Sequence, residues 1–416
     1  MKLSLRMGSS LVWVVTAVIL VVAPWIFRGS FALTLLTQMG TLAIFALSYN
    51  MLLGQGGMLS FGHAVYSGLG AYVTVHAINM LGKGAFPTPL PLMPLVGGLA
   101  GMFFGVLFGY VTTKRSGTTF AMISLGIGEM VYACVLMLPG FFGGEAGIST
   151  NRSIGRPLFG LTFGPPLQVY YLVAVWCFLC MIAMYALTRT PLGRMANAVR
   201  DNPERAEFIG YDTQKVRFLQ LVLSAFFAGI AGALSCINFE IVSAENVSAL
   251  RSGGVLLAAF IGGIPLFFGP VLGAVIFILF VAALSGVTNA WLLYLGLFFC
   301  AMVLYAPGGV ASILLAQIGV VRARKFGRLV LPYAAALAAG LVCLAGLIGI
   351  VESVYRLSDD TEGTRMSLAG LSVDAAQAPV WIVSGVLLAA GLVALRFAGR
   401  WVGGRWDAVQ SELKGP

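Results

Sequence analysis

With 416 residues, 59% of them hydrophobic and only 10% charged, and a mean hydropathy of +0.95, the chain is too apolar for a water-soluble domain. Soluble domains carry about 25% charged residues, so cytosolic enzymes, nucleic-acid binders and disordered proteins are excluded together. The net charge of +10, from 25 Lys and Arg against 15 Asp and Glu, fits the bias of basic residues toward cytoplasmic loops better than a phosphate-binding face.

The 53 glycines lie mostly inside apolar stretches, where they let helices approach closely. Cys134, Cys177, Cys180, Cys236, Cys300 and Cys343 also sit in apolar segments. The Cys177/Cys180 pair has no nearby histidine or second pair, so the cysteines read as small core residues and no metal site is expected.

A crossing helix needs about 20 apolar residues. On that measure hydrophobic segments run at 11–27, 31–53, 58–81, 92–112, 118–140, 167–188, 217–238, 253–265, 268–286, 290–310, 329–351 and 379–397. The third is too glycine-rich to be regular at its start. The eighth is too short to cross unless protein or water satisfies its ends, as at the broken helices of transport sites. The first follows Lys2 and Arg6 and no small-x-small cleavage site comes after it, so it reads as a retained helix. With the N-terminus in the cytoplasm, 18 basic residues fall inside and 7 outside: Arg28, Lys83, Arg152, Arg156, Arg251, Arg356 and Arg365. That asymmetry supports an even helix count with both termini cytoplasmic.

The block from Gly54, GQGGMLSFGHAVYSGLGAYV, places Gln55, Gly57, Ser60, His63 and Tyr66 at membrane depth, where they are candidates to line a substrate path. A tightly packed helix pair with satisfied hydrogen bonds is the plainer reading. GGMLSFGHAV at Gly56 is echoed by GGIPLFFGPV at Gly262, which adds Gly262 and Gly263 as path candidates and suggests an internal pseudo-repeat with broken helices. Glu129 is the only acidic residue well inside a span, at a cost of about 2.5–3.5 kcal/mol, and is expected to face protein or water, as a helix-tying group or a pathway residue.

Thr188–Phe218 reads as two short cytoplasmic helices. Leu192, Met195, Ala196 and Val199 share a face opposite Arg194 and Arg200. Asn202 as N-cap, Pro203, Glu204 in the first turn and Gly210 past the end delimit the second helix. The stretch looks like a docking element; an amphipathic loop held at the lipid interface is the alternative.

The segments GQGGMLSFGHAVYSGLGAY, ISLGIGEMV, GGEAGI, PLGRMANAVRDNPERAEFIGYD, LSAFFAGIAGAL and GGIPLFFGPVLGA resemble, in that order and at similar spacing, the permease subunit of branched-chain amino-acid ABC importers. The match covers about residues 30–315. The resemblance implies an all-α polytopic membrane protein of about ten helices in the bacterial inner membrane. The partners it implies are a second related permease subunit or a second copy, two cytoplasmic ATPases that use ATP and Mg, and a periplasmic or extracellular substrate-binding protein. It makes 189–217 the coupling loop, with Arg194, Asn197, Arg200, Asn202, Glu204, Ala206 and Gly210 as coupling candidates and Ala206 on the face offered to the ATPase. The chain departs from the family in its tail: residues 1–320 form the permease domain, and 321–416 is an extension with two further helices and an acidic outer loop, expected to be peripheral to transport.

No G-x-x-x-x-G-K-[ST] phosphate loop occurs, so ATP use and any cofactor fall to partners, and the chain itself is not an enzyme. Two other readings stay open. An ion-coupled secondary carrier would ordinarily use several intramembrane ionisable groups, whereas this chain offers Glu129 and His63. An intramembrane serine hydrolase would need Ser60 and His63 within hydrogen-bond reach.

Overall fold

The structure, a computed structural model, describes residues 2–82, 89–153, 162–286, 288–323, 325–358, 365–368, 371–374 and 377–414. Lys83 and Arg156 of the outer basic set, Arg324 of the inner one, and Asp359, Asp360 and Glu362 of the acidic outer loop lie outside the described residues. The chain forms two compact units, Met1–Ala282 with Phe299–Ala311, and Ala283–Phe298 with Ser312–Pro416.

Each of the twelve hydrophobic segments contains a helix. They are α1 (Lys2–Ile26), α2 (Ser30–Asn50), α3 (Ala64–Gly82), α4 (Met93–Thr112), α5 (Thr118–Met137), α7 (Pro166–Arg189), α10 (Thr213–Phe239), α11 (Ala249–Gly262), α12 (Gly269–Ser285), α13 (Trp291–Tyr305), α15 (Gly327–Ser358) and α16 (Ala378–Lys414). Between them lie the short α6 (Pro139–Phe142), α8 (Pro191–Asp201), α9 (Pro203–Phe208) and α14 (Gly309–Arg322). Among the described residues, seven helical stretches are long and apolar enough to cross a membrane by themselves, and α13 with α14, bent by 48° at Ala306–Gly308, makes an eighth. The chain is an all-α polytopic membrane protein.

α10 is the axis of the first unit and is buried along most of its length. It starts where Asp212 Oδ1 accepts from the Lys215 amide at 3.0 Å and stops where Glu240 turns left-handed at φ 57°. It packs on α2, α3 and α4. On α4, Gly97, Gly101, Gly105 and Gly109 recur every fourth residue along the buried face. A Cβ on Gly229 of α10 would lie 2.1 Å from the Gly97 carbonyl oxygen, and one on Gly70 of α3 2.7 Å from Gly229 Cα. Backbone thus meets backbone where the three helices join, the close approach that small residues permit in a membrane interior.

Two loops on one face are tied by a short antiparallel pair, β1 (Ile148–Ser149) with β2 (Ile241–Val242). Beside it the Arg152 amide donates to Glu240 Oε1 at 2.8 Å, and its guanidinium to the Asn238 carbonyl at 3.1 Å. Strands can pair only on a common side, so the ends of α5 and α10 emerge together, as the sidedness reading requires.

In the second unit α15 and α16 form an antiparallel pair whose backbones approach at Gly346, Gly349 and Gly391. Lys325 Nζ reaches Glu412 Oε2 at 2.7 Å at one end, and at the other Thr288 Oγ1 donates to Glu352 Oε1 at 2.6 Å and Tyr294 OH to the same oxygen at 3.3 Å. A second two-stranded ladder, β3 (Arg365–Leu368) with β4 (Leu371–Asp374), lies between α15 and α16 in the chain.

Candidate functional site

α2 does not end cleanly. Its last turn widens into a π-turn over Met51–Gln55, and the chain runs without regular helix to His63 before α3 begins. The groups that a broken helix leaves unpaired are met by side chains from distant helices, as the bilayer interior demands. Gln220 Nε2 of α10 donates to the Met51 carbonyl at 2.9 Å and lies 3.4 Å from Gln55 Oε1. Ser224 Oγ donates to the Ser48 carbonyl at 2.6 Å. The Phe61 amide donates to Ser124 Oγ of α5 at 3.1 Å, and the Ala64 amide to Ser252 Oγ of α11 at 3.0 Å.

His63 is fully buried. Its ring stacks on Phe45 at 5.4 Å and meets the edges of Tyr49 at 5.3 Å and Tyr66 at 5.9 Å. Nε2 lies 3.0 Å from Ser48 Oγ, whose own proton goes to the Phe45 carbonyl at 2.7 Å. Nδ1 is buried with no hydrogen-bond partner among the described residues. Asn50 Oδ1 is likewise buried and unpartnered.

The path candidates separate into two groups. Ser60, His63, Tyr66, Gly262 and Gly263 are packed inside the chain and line no open space in this conformation. Side chains and backbone pack into the breaks. Gly263, at φ 112°, would bring a Cβ 2.2 Å from the Gly308 carbonyl oxygen, and Gly262 one 1.9 Å from that of Gly269. Both halves of the sequence echo are nonetheless breaks between a helix and its successor. Gln55 is half-buried, while Gly57 and Glu129 reach the surface of the chain. Glu129 lies on an exposed stripe of α5 with Met122, Gly126 and Ala133. Ser60 supplies no nucleophile to His63, whose hydroxyl partner is Ser48.

The loop between α7 and α10 is built as the sequence indicates. Thr190 Oγ1 caps α8 by accepting from the Gly193 amide at 3.3 Å, and Asn202 Oδ1 caps α9 by accepting from the Arg205 amide at 2.9 Å. Glu204 lies in the first turn of α9, favourably placed for the helix dipole, and Gly210 closes the helix at φ 89°. Asp212, just beyond, is held below the usual carboxylate range by the Lys215 amide and then by the Lys215 ammonium, 3.2 Å from Oδ2. Arg194 is exposed, and Asn197 Nδ2 bonds back to the Gly193 carbonyl at 3.2 Å. Arg200 pairs with Asp201 at 2.8 Å and donates to the Gly54 carbonyl.

Ala206 does not offer a small face outward. It is 2% exposed and packs with Ala196, Val199 and Val216, where it holds α9 against α8 and α10. The outward surface is Phe208, 90% exposed, with Ile209 and Tyr211 beside it. An apolar tip next to two capped helices is what a docking element presents to a partner cleft. Ser48, Gln220, Ser224, Ser252 and Phe208 were not among the sequence candidates. The signal for Phe208 was present in the run Phe208–Ile209–Gly210–Tyr211, three large apolar residues around a helix stop in an otherwise charged loop.

A helical membrane chain with paired breaks and a folded loop bearing an exposed apolar tip has the architecture of a transport permease. Residues 31–307 match the family described as branched-chain amino acid transport system / permease component, and the chain belongs to that family. It is similar to the high-affinity branched-chain amino acid transport permease LivM of Salmonella typhimurium, 28% identical over 317 residues, 70% of this chain and 73% of that one. BraD of Pseudomonas aeruginosa, a permease of the same description, is 24% identical over 251 residues, 58% of this chain and 81% of that one. The fructose import permease FrcC of Rhizobium meliloti is 28% identical over 240 residues, 55% and 63% of the two chains. No solved structure matches.

Proposed function

We propose that the chain is the pore subunit of an ATP-driven importer for branched-chain or related small amino acids, in a bacterial cytoplasmic (inner) membrane with both termini cytoplasmic. The observation that carries the reading is the capped α8–α9 pair with its exposed Phe208 and Ile209, in a chain of the permease family. This tip docks into a cytoplasmic ATPase, one of two, which uses ATP and Mg; the chain itself binds no cofactor and catalyses no reaction. A periplasmic or extracellular binding protein delivers the substrate, and the relatives' branched-chain amino acids are the first substrates to test.

Glu129 supports a second permease subunit, or a second copy. A carboxylate on the bare face of α5 at membrane depth costs about 2.5–3.5 kcal/mol against lipid, and a second protein or water on that face removes the penalty. The path then runs along this face beside Gln55 and Gly57, and the buried breaks are where it opens.

The test is purification of the native complex, identification of its ATPase and binding protein, and uptake of labelled leucine and fructose into vesicles. ATP-dependent leucine uptake is the expected result. Uptake by the isolated chain on a proton or sodium gradient would establish an ion-coupled carrier instead.

A further inference from the structure

The loop that carries the docking tip also touches the break at the end of α2. Arg200, in the last turn of α8, donates through its guanidinium to the carbonyl of Gly54 within the π-turn, and is steadied on its other side by Asp201 at 2.8 Å. The stem of the same side chain lies over Gly57, where a Cβ would stand 2.7 Å from Arg200 Cγ and 3.4 Å from Arg200 Cβ. Gly57 itself turns left-handed at φ 64°, the residue at which the chain leaves the helical path. One side chain thus bonds one end of the break and covers the other.

Behind the break lie polar atoms that the closed packing leaves unpaired. Asn50 Oδ1 sits over Gly54, where an added Cβ would be 2.3 Å away, and His63 Nδ1, at the far end of the break, is also buried and unpaired. Buried polar atoms without partners favour any conformation that admits water or a polar solute to them. Arg200 is a partly exposed side chain that touches both ends of the closed break.

We propose that Arg200 is a positioning residue, a strut through which α8 holds the Gly54–Gly57 break shut over the Asn50 and His63 interior, so that displacement of α8 opens it. The source of that displacement rests on the ATPase-docking reading above; the strut itself does not.

The test uses the full chain in lipid vesicles with Ser60→Cys as a probe of the interior, labelled by a small charged thiosulfonate and corrected with the chain that keeps Ser60. Met58→Cys, at a second buried position beside the break, serves if Ser60→Cys misfolds. Arg200→Ala should raise the labelling rate about tenfold, a typical coupling between two states. Arg200→Lys, which keeps a cationic donor, should fall between the two. Gly57→Ala should also raise the rate, and Arg200→Ala added to it should add nothing, because both act through one contact. In the complex with its ATPases, Arg200→Ala should lower substrate moved per ATP hydrolysed about tenfold. Labelling that stays at the wild-type rate, independent effects at Arg200 and Gly57, or an unchanged transport ratio would overturn the strut. Absence of any ATPase partner would overturn the importer reading instead, and labelling of the chain alone would still decide the strut.

Discussion

The amide of Ala64 donates to Ser252 Oγ at 3.0 Å, so the first turn of α3 is capped by a side chain 188 residues away on α11. A local cap would have been cheaper in chain entropy, and the long-range one makes the restart of α3 conditional on α11 being in place. Both groups are buried. Ser252→Ala should lower stability by about 1–2 kcal/mol, the cost of a lost cap with its donor left dry, and Ser252→Thr should recover most of it. Thermal unfolding in detergent reads the difference. Equal midpoints for Ser252→Ala and wild type would mean that water reaches Ala64.

Phe208→Ala should weaken ATPase docking by about 2 kcal/mol, more than tenfold in affinity, because a fully exposed phenyl has its whole area to bury. Ala206→Trp should act differently. It overpacks the Ala196, Val199 and Val216 cluster at about 1–3 kcal/mol and should raise hydrogen exchange throughout α8 and α9 before any partner is added. Copurified ATPase and exchange rates measured on both variants separate a docking contact from a folding contact. Identical profiles for the two would refute that separation.

These two residues show what local sequence can say. The cap at Asn202, Pro203 at the first helical position and the stop at Gly210 are local signals, and the loop was legible from them; the Thr190 cap is equally local but was not read. Which face of a six-residue α9 is covered depends on α10, which arrives only through tertiary contact, so Ala206 was taken for the outward face. The breaks were legible from glycine, but not what fills them: Ser124, Gln220 and Ser252 come from elsewhere in the chain. α14 was missed although Ala306–Pro307–Gly308–Gly309 marks the bend, because the apolar run reads smoothly across it. The strand pair β1–β2 has two residues on each side, too short for any alternation to register.

Asp212 caps α10 as a carboxylate held below its ordinary range. A depressed acid contributes stability above the pKa of its unfolded form and loses it as pH falls through the folded value. Protection of the α10 first turn should therefore be constant near neutrality and fall only below the usual carboxylate range. Asp212→Asn, which still accepts a hydrogen bond, should flatten that dependence. Amide exchange at Lys215 and Val216 across acid pH checks it, and a drop that persists in Asp212→Asn would assign it to another group.

Glu129→Cys should cross-link to a second permease chain through a short bifunctional reagent in the native membrane. Glu129→Leu should insert more readily as a lone chain, by about 2.5–3.5 kcal/mol, while slowing uptake in the complex. Cross-linking to lipid alone, with uptake intact in Glu129→Leu, would place this face against the bilayer.

Deleting residues 329–416 should leave assembly and uptake largely intact but lower the unfolding midpoint. It strips Thr288 and Tyr294 of the Glu352 carboxylate that both now bond. Loss of uptake with assembly preserved would make the two added helices part of the mechanism.

Where α3, α4 and α10 meet, an added Cβ on Gly70, Gly101 or Gly229 would strike backbone of a facing helix, and one on Gly97 would meet the short Ala233 and Thr74 side chains and the Gly229 carbonyl. Sliding one helix past another by a fraction of a turn would drive Gly97 into Gly229. The three are therefore geared like meshed cogs, and a push on one is delivered to the others without slack. A push that leaves this contact intact would be taken up at the joints where the chain leaves helical geometry, with the block between them as a lever arm.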